Sequence, residues 1–306
     1  MKKVGALVVT FNRLNLLKEA IDSLRSQTFK DIQIIVVNNG STDGTKEWLN
    51  TQEDVYTITQ ENLGGAGGFF TGMKYIAETG YEYCWLMDDD VVCNSTALSE
   101  LLKALQSDEN IGFVCSKVIG INGDPMNVPS VDIRSTKNGY PYWYDRIDDY
   151  MIRIKSATFV SILLLTKRIF EFGLPYKEFF LWGDDFEYTM RISEPYISYM
   201  VCKSEVIHKR EIQEKLSFET EINHNRLKNY FYMFRNHLFI YRKHGSHKQY
   251  AKGIVWQCLF ILKLIAKKQI YKAKIIFKST IASVSFNPIV EYPSNIPHEV
   301  NQNLRN

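Results

Sequence analysis

Acidic residues are missing from a long stretch near the end of this 306-residue chain. Between Glu221 and Glu291 there is no Asp or Glu, whereas Lys and Arg together occur thirteen times. Removing those thirteen positive charges from the overall net charge of +3 leaves −10 for the rest of the chain. Such an asymmetry excludes a uniformly charged molecule and predicts two regions with different partners.

Cysteines are few and scattered. The five cysteines show no C-x-x-C spacing, which argues against both a disulfide framework and a zinc site. A reducing cytoplasm fits this cysteine usage.

No apolar run is long enough to cross a membrane. The first run, Val4 to Val9, is too short for a signal peptide and is typical of a strand. A later run, Gly253 to Ala266, is interrupted by Gln257 and Lys263 and is too short to span a bilayer. The sequence therefore predicts a cytoplasmic chain without a membrane-spanning helix.

Short apolar runs alternate with helical patterns over the first part of the chain. The predicted strands are Val4–Val9, Ile32–Val37, Val55–Thr59, Tyr83–Met87 and Phe113–Ser116. The predicted helices are Leu14–Ser26, Thr45–Asn50, Gly68–Thr79 and Thr96–Gln106. This alternation predicts an α/β fold with βαβ units and a mostly parallel sheet flanked by helices. Ligands on such sheets bind beyond the carboxyl ends of the strands.

The character of the sequence changes near residue 214. Before that point, Asn122 to Asp149 has the composition of a long loop, while Ser156–Thr166 and Tyr196–Val201 are predicted strands. After it, helices are predicted at Phe218–Arg242 and Tyr250–Ser283. We expect a catalytic domain at 1–213, a basic helical region at 214–287 and an extended tail at 288–306. The sequence does not determine the oligomeric state, and it is compatible with a homo-oligomer.

Three partners can be considered for the basic helices. A basic helix with an apolar face often lies on a membrane surface, with its lysines toward anionic head groups. The same helix can instead pack on its own catalytic domain. Nucleic acid is the weakest reading, because no recognition module is evident. The pattern favours peripheral association with the inner face of the cell membrane.

Three carboxylates stand side by side where the fourth predicted strand ends. On an extended strand, Asp88 and Asp90 project to one side and Asp89 to the other. Two such carboxylates can bind one divalent cation, Mn2+ or Mg2+, which would also relieve their repulsion. The alternative is a solvated acidic turn that caps the helix after Ser95.

A second acidic group begins at Asp184. Asp184 and Glu187 have the spacing of a capping box, which accounts for both structurally. The capping-box spacing gives Asp185 no structural role, and its carboxylate could act as a general base. A helix N-terminus favours its ionised form, which keeps it ready to accept a proton but weakens it as a base.

His208 follows another predicted strand, so it could return to the same edge and supply a nitrogen ligand. Lys209 and Arg210 could instead face phosphate oxygens. The glycine-rich stretch 61–70 resembles a loop that enters a helix and could approach an anion closely. It matches neither the P-loop nor the G-x-G-x-x-G fingerprint.

Five motifs in a fixed order make the sequence similar to a known family. They are VVTFNR, VVNNGSTDGT, ENLGGAGG, LMDDDV and WGDDFE. Together they resemble a family 2 glycosyltransferase of the GT-A fold over residues 3 to 210. Within that family the chain is most similar to bacterial galactofuranosyltransferases, with rhamnosyltransferases next. The resemblance implies inverting, metal-dependent transfer from a nucleotide sugar to a glycan or lipid-linked acceptor.

The resemblance also implies a role for individual residues. Asp185 matches the base that deprotonates the acceptor hydroxyl, and Trp182 and Asp184 match the acceptor-side wall. The implied metal ligands are Asp88, Asp90 and His208. The implied nucleotide-sugar contacts are Thr10, Phe11, Arg13, Asn38, Asn62, Gly65 and Asp89.

Asn38 departs from the pattern, because many relatives have Asp there to accept a hydrogen bond from uracil. An amide oxygen accepts more weakly than a carboxylate. UDP-galactofuranose is the expected donor, and dTDP-rhamnose is the alternative. A non-catalytic carbohydrate-binding or scaffold protein is the alternative from another class.

Overall fold

The computed structural model describes residues 3–210, 212–214 and 216–294. The chain forms two compact units. The first comprises Met1–Lys177, Asp185–Gln213 and Val290–Asn306, and the second comprises Glu178–Asp184 and Glu214–Ile289. The second unit therefore includes a short segment from the middle of the sequence.

The first unit opens with three strand–helix pairs and a fourth strand. In chain order these elements are β1 (Val4–Thr10), α1 (Leu14–Arg25), β2 (Ile32–Asn38), α2 (Thr45–Leu49), β3 (Val55–Thr59), α3 (Gly64–Thr79) and β4 (Tyr83–Asp88). Strands β1 to β4 are parallel and follow the spatial order β3-β2-β1-β4. The carboxyl ends of β1, β2 and β4 therefore lie along one edge of the sheet.

The remainder of the first unit extends the same sheet. Its elements are β5 (Val91–Cys93), α4 (Ala97–Leu105), β6 (Ile111–Ile119), β7 (Ser130–Val131), β8 (Met151–Ser156), β9 (Ile162–Leu165), α5 (Lys167–Phe172), α6 (Asp184–Ser193) and β10 (Ile197–His208). The order continues β4-β9-β6-β10-β8-β7, and β5 pairs with β10. Strands β6 and β10 are parallel to each other, whereas β9 runs antiparallel to β4 and β6. The predicted α/β class with a mostly parallel sheet is confirmed.

Strands at the centre of this sheet are buried on both faces, which is why they read as continuous apolar runs. All seven residues of β1 are buried. One face packs on apolar side chains of α1 and α4, such as Leu17 and Leu98. The other packs on α3, through side chains such as Met73 and Ile76. The sheet edge that carries the polar motifs is thus held by two hydrophobic layers.

Helix α3 begins at Gly64, four residues before the predicted start at Gly68, so the glycine-rich stretch is mostly helix and not a loop. A Cβ on Gly68 would lie 2.3 Å from Val9 Cγ1, and one on Gly72 would lie 2.2 Å from Leu7 Cδ1. Both glycines therefore allow the helix to pack closely on β1. A role in close packing accounts for glycines that otherwise disfavour a helix.

Two predicted strands differ from those observed. The predicted strand Ser156–Thr166 is interrupted: β8 ends at Ser156 and β9 begins at Ile162. The predicted strand Tyr196–Val201 begins at Ile197 and continues to His208. This extension carries the histidine to the edge of the sheet.

The second unit contains three helices in the part of the chain that is described, α7 (His224–His244), α8 (His247–Ala266) and α9 (Ile270–Ser285). The predicted helix Tyr250–Ser283 is thus two helices, and Lys268 between them has a φ of 59°. Phe218, Phe234, Phe260 and other apolar side chains form a separate core. Among the described helices, none combines the length and apolar content that crossing a membrane requires.

The predicted tail is described as far as residue 294. There the Leu174 amide donates to Glu291 O at 2.8 Å, and the Ser294 amide donates to Glu78 Oε1 at 2.8 Å. The part of the predicted tail beyond residue 294 lies outside the described residues.

Candidate active site

The three aspartates lie at the end of β4, but they do not share an extended strand as the sequence predicted. Asp88 is the last residue of β4, and Asp89 and Asp90 form the turn that precedes β5. This turn still brings Asp88 and Asp90 together with His208, because one ligand atom from each lies within 4.8 Å of the others.

Pairing between β5 and β10 brings His208 to this turn. The two strands are antiparallel, with His208 opposite Val91. His208 Nε2 lies 2.9 Å from Asp90 Oδ1. Its other ring nitrogen, Nδ1, lies 2.8 Å from Asn127 Oδ1. Asn127 was not predicted from the sequence, and it fixes the orientation of the imidazole.

The chemistry of these side chains fits a divalent cation. Asn127 Oδ1 can only accept a hydrogen bond, so Nδ1 is the ring nitrogen that donates, and Nε2 is the one that would bind a cation. Nε2 faces the buried Asp90 Oδ1 at 2.9 Å, so an imidazole nitrogen and a carboxylate oxygen meet at this point. Two carboxylates and an imidazole nitrogen are ligands that Mn2+ accepts readily.

A positive side chain also contacts the aspartate turn. Arg13 Nη1 lies 3.2 Å from Asp89 Oδ1 and 2.7 Å from Asp90 Oδ2. Burial alone would lower the pKa of the Arg13 guanidinium, but Asp89 and Asp90 raise it above its ordinary value. Sequence reasoning expected a cation beside the triplet and placed Arg13 only at the nucleotide. In the structure, Arg13 also partly neutralises the negative charge of the aspartate turn by contacting Asp89 and Asp90.

Asp89 organises the loop that follows β1. Thr10 Oγ1 donates to Asp89 Oδ2 at 2.7 Å, and the Phe11 amide lies 3.4 Å from the same oxygen. Burial raises the pKa of Asp89 to about 6, although the Arg13 charge opposes this shift. The predicted contact of Asp89 with the nucleotide sugar stays a prediction, while its carboxylate binds three residues that are also predicted to face the nucleotide, Thr10, Phe11 and Arg13.

Asp88 has the most unfavourable electrostatic environment of the three aspartates. Burial, followed by the charges of Asp90 and Asp89, raises the pKa of Asp88 well above its ordinary value. Asp185 also contributes to this upward shift, so the two carboxylates lie in the same neighbourhood. A bound cation would favour the ionised form of Asp88.

Asp185 lies in the first turn of α6 and is half-buried. The Phe186 amide donates to Asp185 Oδ1 at 2.6 Å. Glu187, predicted to complete a capping box, pairs with Arg191, whose Nη2 lies 2.6 Å from Oε2. Trp182 and Asp184 belong to the second unit and directly precede Asp185 in the chain. Trp182 packs on Tyr230, with 4.9 Å between the ring centroids.

The carboxyl end of β2 presents a buried amide. Asn38 is 1% exposed, and its Oδ1 accepts from the Ser41 amide at 3.0 Å. Its Nδ2 has no hydrogen-bond partner within the described part of the chain. Asn62 Oδ1 accepts from the Gly64 amide at 2.9 Å, and Gly65 lies in the first turn of α3. A buried donor without a partner is costly unless a ligand accepts from it.

Comparison with known proteins gives consistent results. The sequence model of Glycosyl transferase family 2 matches residues 6–162, which is half of the chain. Galactofuranosyltransferase GlfT1 of Mycolicibacterium smegmatis is 39% identical over 102 residues, 32% of this chain and 34% of that protein. Galactofuranosyltransferase GlfT1 of Mycobacterium tuberculosis is 26% identical over 217 residues, 66% of this chain and 68% of that protein.

Solved structures are similar at the level of the fold. The crystal structure of GalNAc-T7 with UDP, GalNAc and Mn2+ has a TM-score of 0.55 at 15% identity, covering 77% of this chain and 50% of that one. The structure of TarS from S. aureus has a TM-score of 0.54 at 16% identity, covering 84% of this chain and 42% of that one. The fold, the order of the motifs and the matched family together show that this chain belongs to glycosyl transferase family 2, with a GT-A fold.

Proposed function

We propose that this glycosyltransferase is inverting and metal-dependent, and that it transfers galactofuranose from UDP-galactofuranose to a hydroxyl group of a growing cell-surface polysaccharide or lipid-linked glycan. The observation that carries the proposal is the grouping of Asp88, Asp90 and His208 where Asp88 also experiences the charge of Asp185. Direct displacement needs a group that neutralises the leaving diphosphate and a base for the acceptor. The names of the two GlfT1 relatives support galactofuranose as the sugar.

Asp185 is the proposed base. As the acceptor oxygen attacks the anomeric carbon, Asp185 takes the hydroxyl proton, and the bond between that carbon and the diphosphate oxygen breaks. The new bond forms on the opposite face, so the configuration inverts without a covalent sugar intermediate. The hydrogen bond from the Phe186 amide orients the carboxylate for this step. Trp182 and Asp184, which directly precede it, are the proposed acceptor contacts.

Asp88, Asp90 and His208 are the residues that would hold the cation. Bound Mn2+ or Mg2+ would supply positive charge to stabilise the departing diphosphate. Arg13 assists by partly neutralising Asp89 and Asp90, which keeps the aspartate turn compact. Asn127 assists by holding His208 with Nε2 toward the site.

The nucleotide is proposed to contact the loop after β1 and the edge residues Asn38, Asn62 and Gly65. Asn38 Nδ2 is a buried donor without a partner in the described residues, which suits a carbonyl oxygen of the base. Uracil and thymine both present such an oxygen. The loop contributes Thr10, Phe11 and Arg13, all held by Asp89.

A donor panel tests the reaction. The purified protein is incubated with Mn2+ and UDP-galactofuranose, UDP-galactopyranose, UDP-glucose or dTDP-rhamnose, and both hydrolysis and transfer to a glycan acceptor are measured. We expect UDP-galactofuranose to give the highest kcat/KM. Preferential use of dTDP-rhamnose would support the rhamnosyltransferase alternative. Absence of metal-dependent nucleotide binding in calorimetry would support the scaffold alternative.

Asp185→Asn tests the base directly. Loss of general base catalysis should lower kcat for transfer by a factor of about 100 to 10,000, with the KM for the donor little changed. Asp31→Asn, at an exposed position of the same unit, is the matched control and should retain full activity. Substantial transfer by Asp185→Asn would rule out the assigned base.

We also propose that the second unit rests on an anionic membrane at the cytoplasmic face, where a lipid-linked acceptor would be available. Helix α8 exposes Val255, Leu259 and Leu262, each between 56% and 62% exposed. Helix α9 exposes Phe277, Ile281 and Val284, each between 55% and 66% exposed. The spacing i, i+4, i+7 places each trio on one stripe of its helix.

Charge supports a lipid partner for these stripes. Lys252 and Lys274 lie three residues before Val255 and Phe277, so each continues its stripe, and both lysines are exposed. The unit carries no acidic residue from 222 to 290 that could repel anionic head groups. Apolar insertion flanked by lysines is the pattern of a helix that lies in a membrane interface.

Vesicle binding tests the membrane proposal. Wild-type protein should sediment with phosphatidylglycerol vesicles and much less with phosphatidylcholine vesicles. Leu259→Glu combined with Phe277→Glu should abolish sedimentation, because each places a charge on an apolar stripe. Ile133→Glu, at a position of the first unit that is 73% exposed, is the control and should sediment normally. Self-association through the stripes without vesicle binding would contradict the proposal.

A further inference from the structure

The segment from Phe179 to Gly183 has an uncommon backbone. Phe180 and Trp182 have φ values of 63° and 64°, and Gly183 has a φ of 93°. Bulky aromatic residues seldom adopt the left-handed region, which therefore needs support from the surrounding structure. This segment directly precedes Asp184 and Asp185.

Asn236 of α7 provides much of that support. It is 0% exposed, and its Nδ2 donates toward three carbonyl oxygens of the segment. The distances are 3.0 Å to Phe179 O, 3.3 Å to Leu181 O and 2.8 Å to Trp182 O. A single side-chain amide thus donates hydrogen bonds to the backbone on both sides of Phe180.

Arg235 secures Asn236 and the start of the segment. Its Nε and Nη2 lie 3.0 Å and 2.9 Å from Asn236 Oδ1, so the amide oxygen accepts and the amide nitrogen is directed to the segment. The same Nη2 donates to Glu178 O at 2.6 Å. The guanidinium carbon lies 3.7 Å from the centroid of the Phe286 ring. Both ends of the Asn236 side chain are therefore fixed.

We propose that Asn236 is a positioning residue for the acceptor side of the reaction. It fixes the backbone that carries Trp182 and, through the chain, the start of α6 with Asp185. This inference rests on the proposed function, because it assumes that Asp185 receives the acceptor proton. Asn236 itself touches neither substrate nor reacting atoms in this role. Its effect should fall on transfer to the acceptor and spare binding of the donor.

Asn236→Asp is the appropriate test, since it keeps the size of the side chain and removes the N–H donors. The readout is the ratio of transfer to donor hydrolysis, which does not depend on how much of the protein is folded. We expect this ratio to fall by about tenfold or more, because a small displacement of positioned groups is costly. The KM for the donor should remain within about twofold of the wild-type value.

Gln257→Glu is the matched control. Gln257 is a buried amide of the same unit, and its Nε2 donates at 3.0 Å to Phe234 O, away from the segment. It loses the same kind of buried donor without a contact to the segment, so it shows whether any such loss in this unit lowers the ratio. The ratio should be unchanged in Gln257→Glu. An unchanged ratio in Asn236→Asp would overturn the proposal.

Gly183→Ala keeps the proposal testable if Asn236→Asp fails to fold. A Cβ at Gly183 would approach no atom closer than 3.4 Å, but its φ of 93° disfavours alanine. The transfer ratio should fall here as well, and an unchanged ratio would again overturn the proposal. All ratios are measured with the donor that the wild type prefers. Failure of the wild type with every donor would instead contradict the proposed function.

Discussion

At the scale of single residues, the aspartate turn shows how like charges are kept together. Arg13 forms ion pairs with Asp89 and Asp90. Asp88 is half-buried beside those two carboxylates. The pKa of Asp88 is therefore raised by burial and by its neighbours. Asp88 is therefore hard to ionise, and it is also one of the candidate metal ligands. Cation binding should for this reason depend on pH.

This environment predicts that metal binding strengthens as pH rises. A carboxyl group with a raised pKa keeps its proton to a higher pH, and a cation must displace that proton from Asp88. The increase in Tm caused by Mn2+ with UDP should therefore be larger at about pH 7.5 than at about pH 5.5. Thermal unfolding at both values measures it.

Two controls define this effect. Chelation with EDTA should return the Tm to that of the untreated protein, and Asp90→Ala should abolish the shift at both pH values. An equal shift at both pH values in the wild type would contradict a proton-linked site at Asp88.

At the scale of elements, the packing of α3 on β1 determines where the first loop can begin. Gly68 faces Val9, the residue just before Thr10. Val9 is β-branched, so its side chain has little rotamer freedom to move away from an added methyl group. The absence of a side chain at Gly68 thus keeps the helix close to the strand that leads to the candidate site.

Gly68→Ala should therefore destabilise the protein, although alanine is the better helix former. The gain in helix propensity of about 1 kcal/mol is opposed by an overpacking cost of about 1 to 3 kcal/mol. Denaturant unfolding measures the net loss. Lys74→Ala, on the surface of the same helix, should change stability by less than about 0.5 kcal/mol.

A double-mutant cycle checks the physical cause. Val9→Ala makes room for the new methyl group, so the double variant should be more stable than the sum of the single effects by about 0.5 to 3 kcal/mol. Additive effects would show that Val9 is not the obstacle.

At the scale of the whole molecule, the sequence predicted the parts that depend on local patterns. Strands β1 to β4 were predicted to within one residue because each is a short, mostly apolar run, and β1, β2 and β4 are largely buried. Asp88, Asp90 and His208 were predicted as a group, and the structure brings them within 4.8 Å. The aspartates come from one local motif, and the strand that precedes His208 indicated that it returns to the same edge of the sheet.

Long-range contacts could not be predicted in this way. Asn127 meets His208 across 81 positions of sequence, and Arg13 meets Asp90 across 77. Asn236 donates to the Phe179–Gly183 segment, and no local sequence pattern indicates that these two stretches meet. Each is a polar side chain with an ordinary local context, so only the tertiary structure identifies its partner.

The division of the chain has a consequence for swapping modules between relatives. Residues 178–184 belong to the same unit as the C-terminal helices, although they lie far upstream in sequence. A chimaera that exchanges only residues 214–289 would separate these residues from Arg235 and Asn236, with which they form hydrogen bonds. We therefore expect a chimaera to remain active only when residues 178–184 and 214–289 are exchanged together.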